Sequence, residues 1–265
     1  MSKHEEPTAA SNLKPQRLSL TEVIQQASNL FQAGQRFQAE NLCQQVLTVE
    51  PRQPDILHLL GKFAEESGEN TRAIQYFQGA LQQMPNNAGC LRNLGFTYFK
   101  IGQFELARQQ FEKALTLDPK HANGWNTLGC IYISLNKSTE AKQALKEAIT
   151  VDKNFAKPYF NLARVFLAEG DKKETIKYLE KTLKLDPNYV QAHNQLAFTY
   201  LQQQEYKAAI KQSEKALKLQ PDFVPAMVTL ARAFHAQGMS SEAINWYEKA
   251  IGIILTSQNA NFSKN

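Results

Sequence analysis

Histidine and cysteine, the residues that most often act as nucleophiles, bases or metal ligands, are scattered singly along this chain of 265 residues. The histidines are His4, His58, His121, His193 and His235, and the cysteines are Cys43, Cys90 and Cys130. No HExxH zinc motif, phosphate-binding glycine loop or G-x-S-x-G nucleophile elbow accompanies them. The sequence therefore predicts no enzyme activity, no metal and no cofactor. Three widely spaced cysteines without a CxxC pair suit a reducing compartment.

The overall charge is mildly basic, with 30 Lys and Arg against 25 Asp and Glu. This surplus is a weak indication of an acidic partner, and it is far below the charge that indicates nucleic-acid binding. No apolar run approaches the ~18 residues of a membrane helix. The N-terminal stretch MSKHEEPTAASNLKPQ also lacks the apolar core of a signal peptide. We therefore expect a cytoplasmic protein with no membrane partner.

Five prolines reveal an internal period that must position every other residue. They fall on one lattice with a spacing of 34 residues, and Lys153 occupies the missing node. These prolines are Pro51, Pro85, Pro119, Pro187 and Pro221. The lattice defines seven units, which are 20–53, 54–87, 88–121, 122–155, 156–189, 190–223 and 224–257. Residues 1–19 are expected to be a disordered tail, and residues 258–265 a short C-terminal tail.

Each unit has the pattern of a helical hairpin. In unit 88–121 the apolar residues form two stripes with helical spacing, separated by Gly102. The stripes are Leu91, Leu94, Gly95, Tyr98 and Ile101, then Phe104, Ala107, Phe111, Ala114 and Leu115. Helices of about a dozen residues are marginal alone, so the hairpins must stack to bury these stripes. The expected fold is all-α, an α-solenoid of seven hairpins, and Ser19 with Glu22 is predicted to cap its first helix.

Gly95 lies inside a predicted helix, where glycine costs about 1 kcal/mol relative to alanine. It stands at the eighth place of its unit, counting the first residue as place one, and this place is Gly or Ala in every unit. Place twenty is Ala in all units but one. We infer that the two helices of a hairpin cross at these places and leave no room for a larger side chain. Gly95→Leu is predicted to cost ~1–3 kcal/mol by overpacking.

The residue types at these places resemble those of the tetratricopeptide repeat, which has Leu at place seven, Gly or Ala at eight, Tyr at eleven, Ala at twenty and twenty-seven, and Pro at thirty-two. Unit 88–121 matches this pattern at Leu94, Gly95, Tyr98, Ala107, Ala114 and Pro119. The resemblance covers residues 20–257. It implies a right-handed superhelix in which the first helix of each hairpin lines a concave groove for peptides or partner helices. The opening unit, FQAGQRFQAENLCQQVLTVEP, is also similar to bacterial arrays that precede glycosyltransferase domains.

The resemblance also implies that places two, five, six, nine, twelve and thirteen face the groove. In arrays like those of O-GlcNAc transferases, asparagines at place six hold peptide backbone, because an amide both donates and accepts a hydrogen bond. Place six holds Asn93, Thr127, Asn161 and Gln195 in successive units, and place five holds Asn126 and Asn194. The ladder is therefore partial, and an ordinary solvated helix surface is the alternative interpretation.

The charge at the groove places gives a second indication of the ligand. The basic residues there are Arg92, Lys100, Lys157, Arg164 and Arg232, and the interleaved aromatic residues are Phe96, Phe99, Phe160 and Phe198. No Asp or Glu stands at these places between residues 88 and 257. Aromatic side chains are costly to expose, so they are predicted to be binding anchors. Such a groove suits an acidic peptide with apolar side chains.

The last unit ends in an unusually apolar run, AIGIILTS. Ile251, Ile253, Ile254 and Leu255 are expected to leave apolar surface uncovered. Either this helix end simply frays, or it docks on a partner or on a second copy of the chain.

The sequence thus favours a non-catalytic scaffold that binds a protein segment in its groove. The alternative is an accessory subunit that presents substrates to a separately encoded glycosyltransferase. Nucleic-acid binding rests only on a pI near 9.0 and is the least supported of the three.

Overall fold

The computed structural model describes residues 18–262, and within that range it contains helices and turns but no strands. The helices are α1 (Leu20–Gln32), α2 (Arg36–Val49), α3 (Pro54–Glu66), α4 (Asn70–Gln83), α5 (Ala88–Lys100), α6 (Phe104–Leu117), α7 (Ala122–Ser134), α8 (Ser138–Val151), α9 (Ala156–Ala168), α10 (Lys172–Leu185), α11 (Val190–Gln202), α12 (Tyr206–Leu219), α13 (Val224–Ala236) and α14 (Ser240–Phe262). The odd-numbered helices each have 13 residues. The predicted class, an all-α helical-repeat solenoid, is confirmed.

The C-terminal helix α14 has 23 residues and continues to Phe262, beyond residue 257 at which the predicted array ends. The tail expected at the other end, up to residue 17, lies outside the described residues. The chain divides into two compact units within α5, between Thr97 and Tyr98.

The first unit contains α1 to α4 and most of α5. The predicted capping box at its start is confirmed, because Glu22 N–H donates to Ser19 Oγ at 3.3 Å and Ser19 N–H donates to the Glu22 carboxylate at 2.7 Å. Helix α1 packs on α2, α3 packs on α4, and α1 also contacts α3. The core between these helices is built from small and branched apolar side chains such as Ala27, Ala39 and Ile56, all fully buried.

The second unit begins with the end of α5 and runs through α14. Its hairpins are α7–α8, α9–α10, α11–α12 and α13–α14, and the second helix of each packs on the first helix of the next. Two pairs of first helices also contact each other directly, α7 with α9 and α11 with α13. The place-seven leucines are buried in this stack, and they are Leu128, Leu162, Leu196 and Leu230. Stacking therefore supplies the apolar contacts that single hairpins lack.

Every turn inside a hairpin contains one residue with positive φ at place fifteen. Five of these residues are glycines, Gly34, Gly68, Gly102, Gly170 and Gly238. The other two are Asn136, at φ 57°, and Gln204, at φ 62°. Glycine adopts this conformation without the steric cost that a Cβ brings, so the period-34 glycines follow from the turn geometry.

Two of the place-eight glycines, Gly61 and Gly129, confirm the tight packing that the sequence predicts. A Cβ added at Gly61 would lie 2.5 Å from the Phe77 ring, and one at Gly129 would lie 2.6 Å from Cγ of Leu145. Both obstructing residues are side chains at place twenty-four of the same hairpin. At these two positions the glycine therefore makes room for a large side chain of the second helix.

In three successive hairpins, the side chain at place four anchors the first helix to the turn that precedes it. The Trp125 indole N–H donates at 2.9 Å, and the Tyr159 hydroxyl at 3.1 Å, to the carbonyl six residues earlier. His193 makes the same bond through Nε2 at 2.9 Å, and its Nδ1 lies 2.8 Å from Gln212 Oε1. His193 is buried, as predicted, and the hydrogen bonds give it a structural role.

Candidate functional site

The first helices of the second unit, α7, α9, α11 and α13, carry the predicted groove residues on one face. Their places seven and eight are buried, as in Leu162 and Ala163, which are both fully enclosed. Helical geometry then turns places two, five, six and nine away from that buried stripe. The exposed members of this face include Lys157, Arg164 and Arg232.

A buried amide pair joins α7 to α9. Asn161 Nδ2 donates to Asn126 Oδ1 at 2.9 Å and also lies 3.3 Å from Cys130 Sγ. Both asparagines are only 7% exposed. Since a buried polar group is costly when it lacks a partner, this contact holds the two repeats in one register.

Equivalent contacts occur at two other repeat boundaries, and we call all three of these contacts rungs. Thr229 Oγ lies 3.1 Å from Asn194 Oδ1 in the second unit, and its single hydroxyl proton is shared with the Pro225 carbonyl of its own helix at 2.9 Å. The Asn93 amide lies 2.9 Å from His58 Nε2 in the first unit. Every rung joins place five of one repeat to place six of the next and spans 35 residues.

The rungs give the place-five and place-six amides a role that sequence reasoning missed. Asn93, Asn126, Asn161 and Asn194 all take part in contacts between repeats. Their 35-residue separation was the signal that could have revealed these contacts. Elsewhere at place six, the Thr127 hydroxyl donates to the Asn123 carbonyl at 2.8 Å in its own helix, and Gln195 is half-buried.

Two arginines of the second unit are held by neutral partners. Arg164 Nη1 donates to Asn161 Oδ1 at 3.3 Å, so the guanidinium is attached to the edge of the α7–α9 rung. The guanidinium of Arg232 lies 5.7 Å from the centroid of the Phe198 ring. Neither arginine forms an ion pair with any carboxylate of the described chain. Both side chains remain exposed and can therefore bind an anionic group from solution.

The predicted aromatic anchors are less exposed than expected in this unit. Phe160 is half-buried and its ring centroid lies 4.9 Å from that of Tyr189. Phe99 is half-buried with its centroid 5.8 Å from Phe104, and Phe198 is half-buried beneath Arg232. Phe160 packs on the core cluster shared by α9, α10 and α11. These three rings are therefore only partly exposed, because neighbouring side chains cover part of each one, and their role as binding anchors stays a prediction.

The remaining predicted groove residues belong to α5. Arg92 and Asn93 are half-buried in the first unit, and Phe96 beside them is 42% exposed. Lys100 belongs to the second unit and is exposed.

The titratable groups of the described residues include three cysteines and several isolated histidines. No group of three His, Cys, Asp or Glu side chains that could hold a metal ion occurs between residues 18 and 262. Burial raises the pKa of the Cys130 thiol, with Arg164 lowering it to a smaller extent. Burial likewise raises the pKa of Cys43 to about 11 and that of Cys90 to about 12. The Cys43 and Cys90 thiols therefore stay protonated at neutral pH, which makes them poor nucleophiles.

The predicted apolar patch on α14 is partly exposed. Ile251 and Leu255 are 54% and 53% exposed, and Ile254 is exposed with them. Ile253 is a correction, because it is partly buried and packs on the cluster that contains Leu230. Helical spacing turns it about 100° from its neighbours and toward α13. Among the helices that the structure describes, none is both long and apolar enough to cross a membrane.

Comparison with known proteins was made for sequence families and for solved structures. A family model described as the C-terminal domain of cilia and flagella-associated protein 70 matches residues 2–222, and a tetratricopeptide-repeat model matches residues 200–253. No curated protein sequence matches the chain.

Several solved structures share the fold. A tetratricopeptide repeat protein from Parabacteroides merdae is 19% identical, with a TM-score of 0.71, and the match covers 88% of this chain and 92% of that one. PilF of Pseudomonas aeruginosa is 22% identical, with a TM-score of 0.65, over 73% of this chain and 88% of PilF. YrrB, described as a repeat protein with an unusual peptide-binding site, is 20% identical, with a TM-score of 0.53, over 71% of this chain and 97% of YrrB.

Repeats of this type generally form non-catalytic scaffolds that mediate protein–protein interaction. The first family match spans most of the sequence, and the second overlaps its end and extends to residue 253. The chain therefore belongs to the tetratricopeptide-repeat family, and within it to the family described as the C-terminal domain of cilia and flagella-associated protein 70.

Proposed function

We propose that the second unit is a scaffold that binds an acidic, extended protein segment along α7, α9, α11 and α13. The observation that carries this proposal is the pair of exposed arginines, Arg164 and Arg232, which have neutral partners and no carboxylate within the described residues. The groove places of residues 122–257 contain no Asp or Glu that could neutralise them. A carboxylate of a ligand would therefore gain charge-assisted hydrogen bonds without displacing an internal ion pair.

Partly covered aromatic rings support the apolar part of the same proposal. Phe160 and Phe198 are each fixed by a neighbour, so their exposed edges offer apolar contact at little cost in side-chain entropy. Lys157 adds positive charge at place two of α9. Electrostatic attraction would mainly raise the association rate and make it sensitive to salt.

The proposal is tested by affinity purification from the native host, with chemical cross-linking to locate the contact. We expect cross-links to α7, α9, α11 and α13, and loss of the partner in an Arg164→Glu, Arg232→Glu double variant. The matched control is Lys146→Glu with Lys211→Glu, which reverses two exposed lysines on the second helices α8 and α12. Equal retention of the partner by both double variants would contradict the proposal.

A second candidate is an accessory subunit that presents substrates to a separately encoded glycosyltransferase. Asparagines at places five and six favour it, as do the similarities of the opening repeat to transferase-associated arrays. The rungs weaken it, because they already use the amides of Asn161 and Asn194. Recovery of a glycosyltransferase in the same purification, with contacts on these helices, would support this candidate over an unrelated partner.

We propose in addition that α14 mediates self-association. Its exposed apolar residues Ile244, Tyr247, Ile251 and Ile254 follow one another at three or four positions, as coiled-coil seams require, and Leu255 is exposed beside them. On the preceding hairpin, the corresponding face of α12 is covered by α13. Sedimentation at several concentrations should show a dimer that Ile254→Lys disrupts and that Lys249→Gln leaves intact. A wild-type monomer at every concentration would refute this contact.

We also propose a cytoplasmic location. The support is that Cys43, Cys90 and Cys130 are all free thiols, as expected in a reducing compartment. Localisation of a fluorescent fusion in the native host would test it.

A further inference from the structure

The polar face of the second unit repeats every two hairpins. Three pairs of groove residues share a separation of 68 residues, and they are Asn126 and Asn194, Asn161 and Thr229, and Arg164 and Arg232. Each rung of this unit joins one member of the first pair to one member of the second, Asn126 to Asn161 and Asn194 to Thr229. The last pair are two guanidinium groups, Arg164 attached to the α7–α9 rung and Arg232 over the Phe198 ring. A rung and an arginine thus recur every two hairpins, and we call each such combination a module.

Place nine shows how the two modules are separated. It holds Arg164 in α9, Phe198 in α11 and Arg232 in α13, so the row reads basic, aromatic, basic. Helices α9 and α11 share a core cluster through Ala163 and Leu196, and α11 contacts α13 directly. The three side chains therefore follow one another across consecutive repeats on the same face.

The spacing of the modules sets a length. Packed helices lie about 8–10 Å apart, so two steps across the row cover about 16–20 Å. An extended chain advances about 3.3 Å per residue, so the same distance corresponds to about five or six residues. A ligand lying across the helices would bring acidic side chains to both arginines only with that spacing.

We infer that the groove selects segments with two carboxylates about five or six residues apart and an apolar side chain between them. This inference rests on the proposed function and specifies its ligand. The two arginines are pre-positioned by different means, Arg164 by Asn161 Oδ1 and Arg232 by the ring of Phe198. A guanidinium held in this way can bind a carboxylate through two parallel hydrogen bonds. The Phe198 ring between them offers the apolar contact.

The test is selection from a random library of displayed 14-residue peptides against the full chain, with elution by high salt. Enriched peptides should carry Asp or Glu in pairs separated by five or six positions, with an apolar residue between them. Enriched peptides that bind the groove without this pairing would overturn the inference and leave the proposed function standing. A selection that enriches no peptide competing at the groove would contradict both.

Substitutions then assign the two acidic residues. Arg164→Gln and Arg232→Gln should each weaken a selected peptide about threefold to tenfold in fluorescence anisotropy. Each should also abolish the benefit of one particular acidic residue, as measured with peptides in which that residue is replaced by Gln. Lys211→Gln removes an exposed charge from α12 and should change affinity less than twofold. Equal effects of all three variants, or no link between a given arginine and a given acid, would refute the two-site arrangement.

Discussion

The rung of the first unit and the α7–α9 rung of the second join the same two places of neighbouring repeats with different chemistry. In the first unit the Asn93 amide meets the imidazole of His58, and in the second the Asn161 amide meets that of Asn126. The packing between the two helices of a hairpin also differs, because an aromatic ring lies beside Gly61 and an aliphatic side chain lies beside Gly129. Packing therefore fixes where a side chain must be, while the chemistry of that side chain can vary. The first unit has the bulkier side chain beside its place-eight glycine and the titratable side chain in its rung.

The largest expected difference in stability concerns a Cβ added at the place-eight glycines. Gly61→Ala should destabilise the first unit by about 2–3 kcal/mol, because the fully buried Phe77 ring has no room to move. Gly129→Ala should cost about 1 kcal/mol, since Leu145 can change rotamer and the next hairpin already holds Ala163 and Leu179 at these places. Native-state hydrogen exchange of α3–α4 and α7–α8 would measure both.

A second substitution controls for other causes. Phe77→Leu should recover part of the loss in Gly61→Ala, because a smaller side chain makes room for the added methyl group. Equal losses at the two glycines, or no recovery, would contradict the proposed steric cause.

The rung of the second unit should be the next largest contribution. Asn161→Ala removes the donor to Asn126 and the acceptor for Arg164, and we expect it to cost about 1–3 kcal/mol in urea unfolding. Asn123→Ala, on the exposed side of α7, is the matched control and should have little effect. A loss of ligand binding in Asn161→Ala must therefore be corrected for lost stability. Identical unfolding of both variants would show that the rung contributes nothing.

Acid should distinguish the two units. Burial lowers the pKa of His58, aided by the charge of Lys62 and opposed by Asp55. The folded state thus favours the neutral ring, whose Nε2 accepts from the Asn93 amide. Stability from this group is complete above the ordinary pKa of about 6.5 and is lost as the pH falls through the lower folded value. The amide pair in the second unit has no titratable group.

Hydrogen exchange at pH 7.5 and pH 5 would reveal this difference. Protection of α3 and α5 up to residue 97 should fall with acid more than protection of α9. His58→Gln retains an acceptor without a titratable ring and should reduce the acid sensitivity of the first unit. An unchanged pH dependence in that variant would assign the effect to other groups.

The smallest effect should be a gain in stability. Both turns of the first unit have glycine at the positive-φ place, Gly34 and Gly68, whereas two of the five turns in the second unit have Asn136 and Gln204 there. Gln204→Gly should stabilise the second unit by about 1 kcal/mol, and Asn136→Gly by less, because asparagine tolerates this conformation better than glutamine. Thermal unfolding would rank them, and a loss of stability in Gln204→Gly would show that its side chain makes a contact of greater value.

Local pattern explains why the sequence predicted the hairpins, the capping box of Ser19 and the burial of the small residue at place eight. Helical periodicity and turn chemistry operate over a few residues and repeat in every unit, so each repeat reinforces the others. The exposed isoleucines of α14 were found by the same reasoning. Ile253 was misassigned because its direction depends on how α14 packs on α13.

By itself, then, the sequence determined the helical hairpins and their period of 34, because both depend on contacts within a turn or two of helix. Tertiary structure alone decided which groove residues are available. Asn161 and Phe160 belong to the groove by their place in the repeat. The amide of Asn161 is bonded to Asn126, 35 residues earlier, and the Phe160 ring is partly covered by Tyr189. Arg164 and Arg232 stay available because their nearest partners are neutral. These outcomes depend on distances between repeats, which are set only when the hairpins stack.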